Sequence, residues 1–295
     1  MSRMKQPSES FWRDLLRRLL RRPVAVLSLA VIVALALVAL LAHYLAPANP
    51  NQQELLSRLA PPGSPSDFTR TGTFVLGADQ VGRDILSRII YGSRISLAVG
   101  LVAISIELFL GTLLGSLAGY FGGWWDTAIM RLADIMFAFP SLLFAIAVMY
   151  ALGPSLFNVF IALGVTGWAG LARLVRGEVL RIKNLEFVEA ARAAGSTHSR
   201  LILKHILPNA VAPLIVAATL GIPGAIMGEA ALSFLGLGVQ PPTPSWGSMI
   251  YEARAYLRVA PWFSLWPGLA IMVTVFAFNL LGDALRDILD PRLRE

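Results

Sequence analysis

From Val24 to Ala42 the chain is apolar without interruption except at Ser28. Further long apolar runs cover Ile95–Gly119, Leu132–Leu152, Leu156–Ala172, Ala210–Leu235 and Trp262–Leu281. About 20 apolar residues cross the hydrocarbon of a bilayer as a helix, so the pattern predicts six spans. The fourth is the weakest, since Gly164, Gly167 and Gly170 interrupt it. Between the first two spans, Pro47–Thr73 is rich in Pro, Asn, Ser and Gly and reads as a loop. Ahead of the first span, FWRDLLRRLLRR (Phe11–Arg22) sets Leu15, Leu16, Leu19 and Leu20 at helical spacing among arginines. It reads as a helix lying on the inner membrane surface. No internal repeat of the kind built into inverted-repeat carriers is visible.

Composition sharpens this to an all-α integral membrane protein. Only 15% of the 295 residues are charged and the mean hydropathy is +0.66, too few charges for an ordinary water-facing surface. The net charge of +7 sets the orientation. All 25 Lys and Arg lie outside the apolar runs. With both termini cytoplasmic, inner segments hold 18 of them and outer segments 7, as the positive-inside rule requires. No nucleic-acid motif accompanies the charge, so the partner expected for it is membrane lipid and not nucleic acid. The first span exceeds a signal-peptide core in length and five more follow, so it reads as an uncleaved anchor. The chain divides into a basic cytoplasmic segment (1–23), a first span with an external loop (24–94), a core with five spans (95–282) and a cytoplasmic tail (283–295).

Several chemistries are excluded. There is no cysteine, hence no disulfide or iron–sulfur chemistry. None of the three lysines follows a glycine, so the phosphate-binding loop of ATPases is missing. His198 and His205 lie seven apart without a nearby carboxylate and make a poor metal site. No cofactor, metal or catalytic residue is expected.

Three carboxylates fall in or beside the spans: Glu107, Asp134 and Glu229. Each costs about 3 kcal/mol at the bilayer centre on insertion scales. For Glu107 and Glu229 two readings stand: lining of a translocation path or proton relay, or a buried hydrogen bond between helices. Asp134, one turn from Arg131, is expected to form a local ion pair. Gly111, Gly115 and Gly119 recur every fourth residue and leave one helix face bare, a surface for close helix packing, within the chain or with another subunit. Pro140, Pro213 and Pro223 are expected to kink or break their helices.

One polar stretch stands between two spans: EAARAAGSTHSRLILKHILPN, Glu189–Asn209. Leu185–Ala194 favours a helix. Gly195 can stop it in the left-handed conformation, and Ser196 or Thr197 can cap a second helix. That helix puts Leu201, Ile202, Ile206 and Leu207 on one side, and Pro208 suits the first turn of the next span. The product is a bent elbow, at about 184–208, with an apolar stripe. The stripe is expected either to plug a groove on a soluble partner or to pack on the chain's own loops.

Glu189–Gly195, as E-A-A-x-x-x-G, followed by HILPN, resembles the EAA loop of ABC importer permeases. His205 stands where the general pattern has isoleucine. LGADQVGRDILSRIIYGSRISL (Leu76–Leu97), GYFGGWWDTAIMRLADIMFAFPSLL (Gly119–Leu143), LSFLGLGVQPPTPSWG (Leu232–Gly247) and NLLGDALRDILDPRLR (Asn279–Arg294) extend the resemblance to the DppC/OppC type of the dipeptide, oligopeptide and nickel branch. It implies a type I importer permease fold in a bacterial inner membrane. It also implies a sister permease of the DppB/OppB type, two ATPase subunits that bind ATP and Mg, and an extracytoplasmic substrate-binding protein. By position, Glu189, Ala190, Ala191 and Gly195 would sit in the ATPase cleft, with Leu201, Ile202, His205 and Pro208 completing the coupling segment. Solute identity stays open, and so do two rivals: a proton-coupled carrier and a membrane scaffold that transports nothing.

Overall fold

The computed structural model describes residues 7–289. Arg3, Lys5, Arg292 and Arg294, and with them the outer ends of both segments expected to be cytoplasmic, lie outside these residues, as do the side chains of Phe11 and Trp12. The architecture is helical: α1 (Pro7–Leu20), α2 (Pro23–Leu40), α3 (Ala42–Leu45), α4 (Ile85–Phe121), α5 (Gly123–Ala138), α6 (Ser141–Leu152), α7 (Leu156–Ile182), α8 (Glu186–Ala193), α9 (His198–Arg200), α10 (Leu207–Phe234), α11 (Trp246–Ala253) and α12 (Trp262–Leu289). α2, α4, α7, α9 running on into α10, and α12 are each long and apolar enough to cross a membrane. The candidate for a sixth span is a bent pair, α5 and α6, which meet at 93°. The break falls at Phe139-Pro140, where proline removes a backbone donor and pushes the preceding residue out of helical geometry. Pro213 and Pro223, by contrast, sit inside an unbroken α10.

Several spans overrun their apolar runs, α4 and α7 among them. α4 begins at Ile85, not near Ile95, and its 37 residues rise about 55 Å at 1.5 Å each, far beyond a hydrocarbon core of about 30 Å. The Asp84 side chain starts it by accepting from the Ser87 N–H at 2.7 Å. α7 continues ten residues past Ala172. Helical hydrogen bonding continues into water wherever packing supports it, so hydropathy alone marks the membrane part and not the helix.

α4 and α7 form the central pair. A Cβ at Gly111, Gly115 or Gly119 would press on Leu171, on the Ala172 backbone or on Val179 respectively. The bare face found in the sequence therefore packs within the chain. α10 and α12 complete the core, and α2 lies against α12 and α4. α1 is seated through Leu19, which is buried with Ala25 among Leu281, Leu285 and Ile288 of α12. Leu16 and Leu20 remain exposed.

At the end of the bundle opposite the α7–α10 connection, the segment between α2 and α4 holds a short hairpin. Ser64 pairs with Phe74 and Pro65 with Thr73, antiparallel, so the stretch expected to be loop is partly ordered. It meets α11, whose Ser245/Ser248 capping box fixes its start. Trp246 is buried there, its indole N–H donating to the Ile89 carbonyl at 3.1 Å.

Candidate functional site

The connection from α7 to α10 is the bent elbow expected from the sequence. α8 ends at Ala193, and Gly195 takes φ +81°, a conformation costing other residues about 1–2 kcal/mol. The Thr197 hydroxyl accepts from the Arg200 N–H and caps α9. Residues Leu201–Ile206 then wind as a π-helix, with the Leu207 N–H bonded to the Ile202 carbonyl five residues back. Pro208 has no N–H to offer the usual register, and the wider turn carries the chain past it into α10.

Half of the apolar stripe is covered by the chain itself. Leu201 and Ile206 are fully buried among Val175, Val179 and Ile182 of α7 and Val188 of α8. Leu201, expected at the coupling surface, is thus a packing residue. The ten extra residues of α7 supply the cover that periodicity could not reveal. Ile202 and His205 are half-buried, and Pro208 is exposed. What the elbow leaves open is the other face of α8: Phe187, Glu189 and Ala190, with Gly195 beyond them. Ala191 is half-buried against the stripe.

The elbow is tied down at its root. The Lys183 ammonium donates to the Gly119 carbonyl near the end of α4 at 2.7 Å. Arg176 grips Asp126 of α5 with two hydrogen bonds, a bidentate fork that fixes orientation. The Tyr120 hydroxyl and His198 Nδ1 lie 2.7 Å apart. Asp134 pairs with Arg173 of α7 and not with Arg131. The α5–α7 contact brings that guanidinium closer than the residue one turn away.

Between the helices lies a cavity of about 330 Å³, within the usual range of small-ligand sites. Its walls come from α4 (Glu107), α6 (Ser141, Leu142, Ala145), α7 (Leu163, Thr166, Gly167) and α10 (Gly221, Gly224, Ala225, Gly228). The break before α6 is what brings Ser141 to it. Glu107 is the carboxylate of this lining. A Cβ on Gly167 would overlap the Glu107 carboxylate, so the glycine that weakened the fourth apolar run is the seat of this side chain. Gly224 faces open space. The Thr166 hydroxyl is already committed to the Leu163 carbonyl.

Glu229 is not in that cavity. It is fully buried, and its Oε1 accepts from the hydroxyls of Ser233 at 2.7 Å and Ser245 at 2.8 Å. It joins α10 to the capping residue of α11 by an interhelical hydrogen bond.

A buried charge cluster at the opposite end from the elbow was not singled out from the sequence. Arg83 bridges Asp79 and Glu252, at 2.6 Å for the latter, and Arg88 reaches both carboxylates at 3.3–3.5 Å. Asp79 and Arg88 are fully buried. The signal was the dense D-x-x-x-R-D-x-x-x-R spacing of residues 79–88. The partner from α11, 160 or more residues away, was not foreseeable.

Comparison with known proteins fits this geometry. The family described as binding-protein-dependent transport system inner membrane component matches residues 111–295. The N-terminal TM domain of oligopeptide transport permease C matches residues 10–62. The dipeptide transport system permease protein DppC of Alkalihalophilus pseudofirmus is 44% identical over 283 residues, 96% of this chain and 90% of that one. The glutathione transport system permease protein GsiD of Pectobacterium atrosepticum is also 44% identical, over 96% and 92%. DppC of Haemophilus influenzae is 45% identical, over 92% and 91%. Among solved structures, an inward-facing form of the MetNI methionine ABC transporter superposes with a TM-score of 0.56 at 19% identity, covering 69% of this chain and 97% of that one.

Proposed function

This chain belongs to the binding-protein-dependent transport system inner membrane components, the multi-pass permeases of ABC importers, and on that premise we propose that it forms half of a translocation pathway for peptides or peptide-like solutes. The relatives named for dipeptide and glutathione transport suggest that solute class. The observation that carries the mechanism is the elbow itself. Its open face presents Phe187, Glu189 and Ala190 beside a glycine turn, while its other face is locked to α7. A push or pull on the open face is therefore transmitted to α7 and α10 as a unit.

In this proposal the elbow and both termini face the cytoplasm, and the elbow seats in one of two separate ATPase subunits, which hold the ATP and Mg. Glu189, Ala190 and Gly195 make the seat. Ala191, Ile202, His205 and Pro208 shape the elbow from behind, and Leu201 anchors it. A sister permease supplies the other half of the path, and an extracytoplasmic binding protein delivers solute to the end bearing α11. ATP binding need only favour one of two bundle conformations of similar free energy.

The test is reconstitution of the chain with these partners in liposomes. Uptake of dipeptide or glutathione that requires ATP and binding protein supports the proposal. Uptake that persists without the ATPases and collapses with a proton gradient would favour the carrier reading, and assembly without uptake would favour a scaffold.

A further inference from the structure

We propose that the cavity at Glu107 is a solute subsite and that the Glu107 carboxylate receives the ammonium group of the passing solute. The inference rests on the importer reading above and names a residue of this chain for recognition. Glu107 lies far along a membrane-crossing helix, where a lone carboxylate is expensive and is kept when it has a partner or a function. The fate of the other acidic groups makes the contrast. Glu229 accepts from two serines through one oxygen, Asp126 pairs with Arg176, and Asp134 pairs with Arg173. Among the described residues, nothing hydrogen-bonds or pairs with Glu107. It is also half-open to the cavity instead of sealed within the bundle.

The cavity is shaped to hold that carboxylate and leave space beyond it. Gly167 lets the side chain lie flat against α7, and Gly224 leaves the facing wall bare. The remaining walls are apolar or carry hydroxyls that need no charge. Such a site attracts a compact cation that can shed its water against one carboxylate. Dipeptides and glutathione differ in length, linkage and side chains, but each carries a free ammonium group. A subsite for that group serves both, while the rest of the solute stays loosely held, as transport requires.

The experiment uses the complete complex, with sister permease, ATPases and binding protein, in ATP-loaded liposomes. The probes are radiolabelled alanylalanine and glutathione, at saturating binding protein. The wild-type arm reads the importer proposal by itself, since no ATP-dependent uptake there sinks that proposal before Glu107 is at issue. Given wild-type uptake, Glu107→Gln is expected to lower it at least tenfold, and Glu107→Asp to retain a third or more. Both variants should co-purify with the sister permease and melt as the wild type does. Uptake by Glu107→Gln within twofold of wild type would overturn the proposal. So would release of the sister permease, which would make Glu107 a subunit contact, or equal loss in the Asp variant.

Discussion

The Glu229 carboxylate and the Ser245 hydroxyl meet at 2.8 Å inside the protein, joining the end of α10 to the capping residue of α11. One oxygen of that carboxylate takes both serine hydrogen bonds, and the other, Oε2, has no partner. An amide keeps an accepting oxygen for the serines, so Glu229→Gln should leave assembly and melting nearly unchanged. Glu229→Ala strands two buried hydroxyls and opens a void, a loss of about 1–3 kcal/mol for the unpaired groups alone. Thermal melting of the purified complex reads both variants.

Glu252 neutralises Arg83 and Arg88 in the cluster that joins the α4 start to α11. Removing it leaves two buried guanidinium groups facing Asp79 alone. Glu252→Ala is expected to destabilise the protein by about 3–5 kcal/mol, the range for breaking a buried ion pair. Glu252→Gln should cost less, because its oxygen still accepts from Arg83. The melting temperatures should fall in that order, and equal melting would contradict the cluster's role.

Gly115 has the Ala172 backbone and Val175 across from it. Gly115→Val must push α7 away along the contact that roots the elbow. Overpacking of this kind costs about 1–3 kcal/mol. Reduced yield of folded protein in detergent is the expected result. Gly177 of α7 has open space around it, so Gly177→Ala should be silent.

Open space also surrounds Gly195, so a side chain there meets only the penalty of its positive φ. Gly195→Asn, which tolerates that conformation, should transport normally. Gly195→Val should straighten the turn and uncouple ATP hydrolysis from uptake while the chain still inserts. The ratio of solute imported to ATP split is the quantity to compare.

The five long spans and the bent α5–α6 pair were legible because hydropathy is a local signal, and the elbow because Gly195 and the capping Thr197 act locally too. The three-glycine face on α4 was equally readable, since only backbone contact fits it. The rest depended on what covers what. Leu201 carried an apolar stripe whose cover, the tail of α7, is too polar to count as a span. Glu107 and Glu229 looked alike in sequence and part company only through Gly167, which gives one a cavity wall, and Ser245, which gives the other a hydrogen bond. Asp134 found Arg173 across a helix contact, where sequence proximity had pointed to Arg131.

The chain contains no cysteine, so one introduced at Ala190, on the open face of α8, reports from a single place. In vesicles of the whole complex, Ala190→Cys should cross-link to an ATPase subunit bearing a cysteine in its cleft, with a yield that changes when ATP binds. It should be shielded from membrane-impermeant thiol reagents added outside. Labelling from the outside, or no cross-link to the ATPase in an assembled complex, would contradict the coupling role of the elbow.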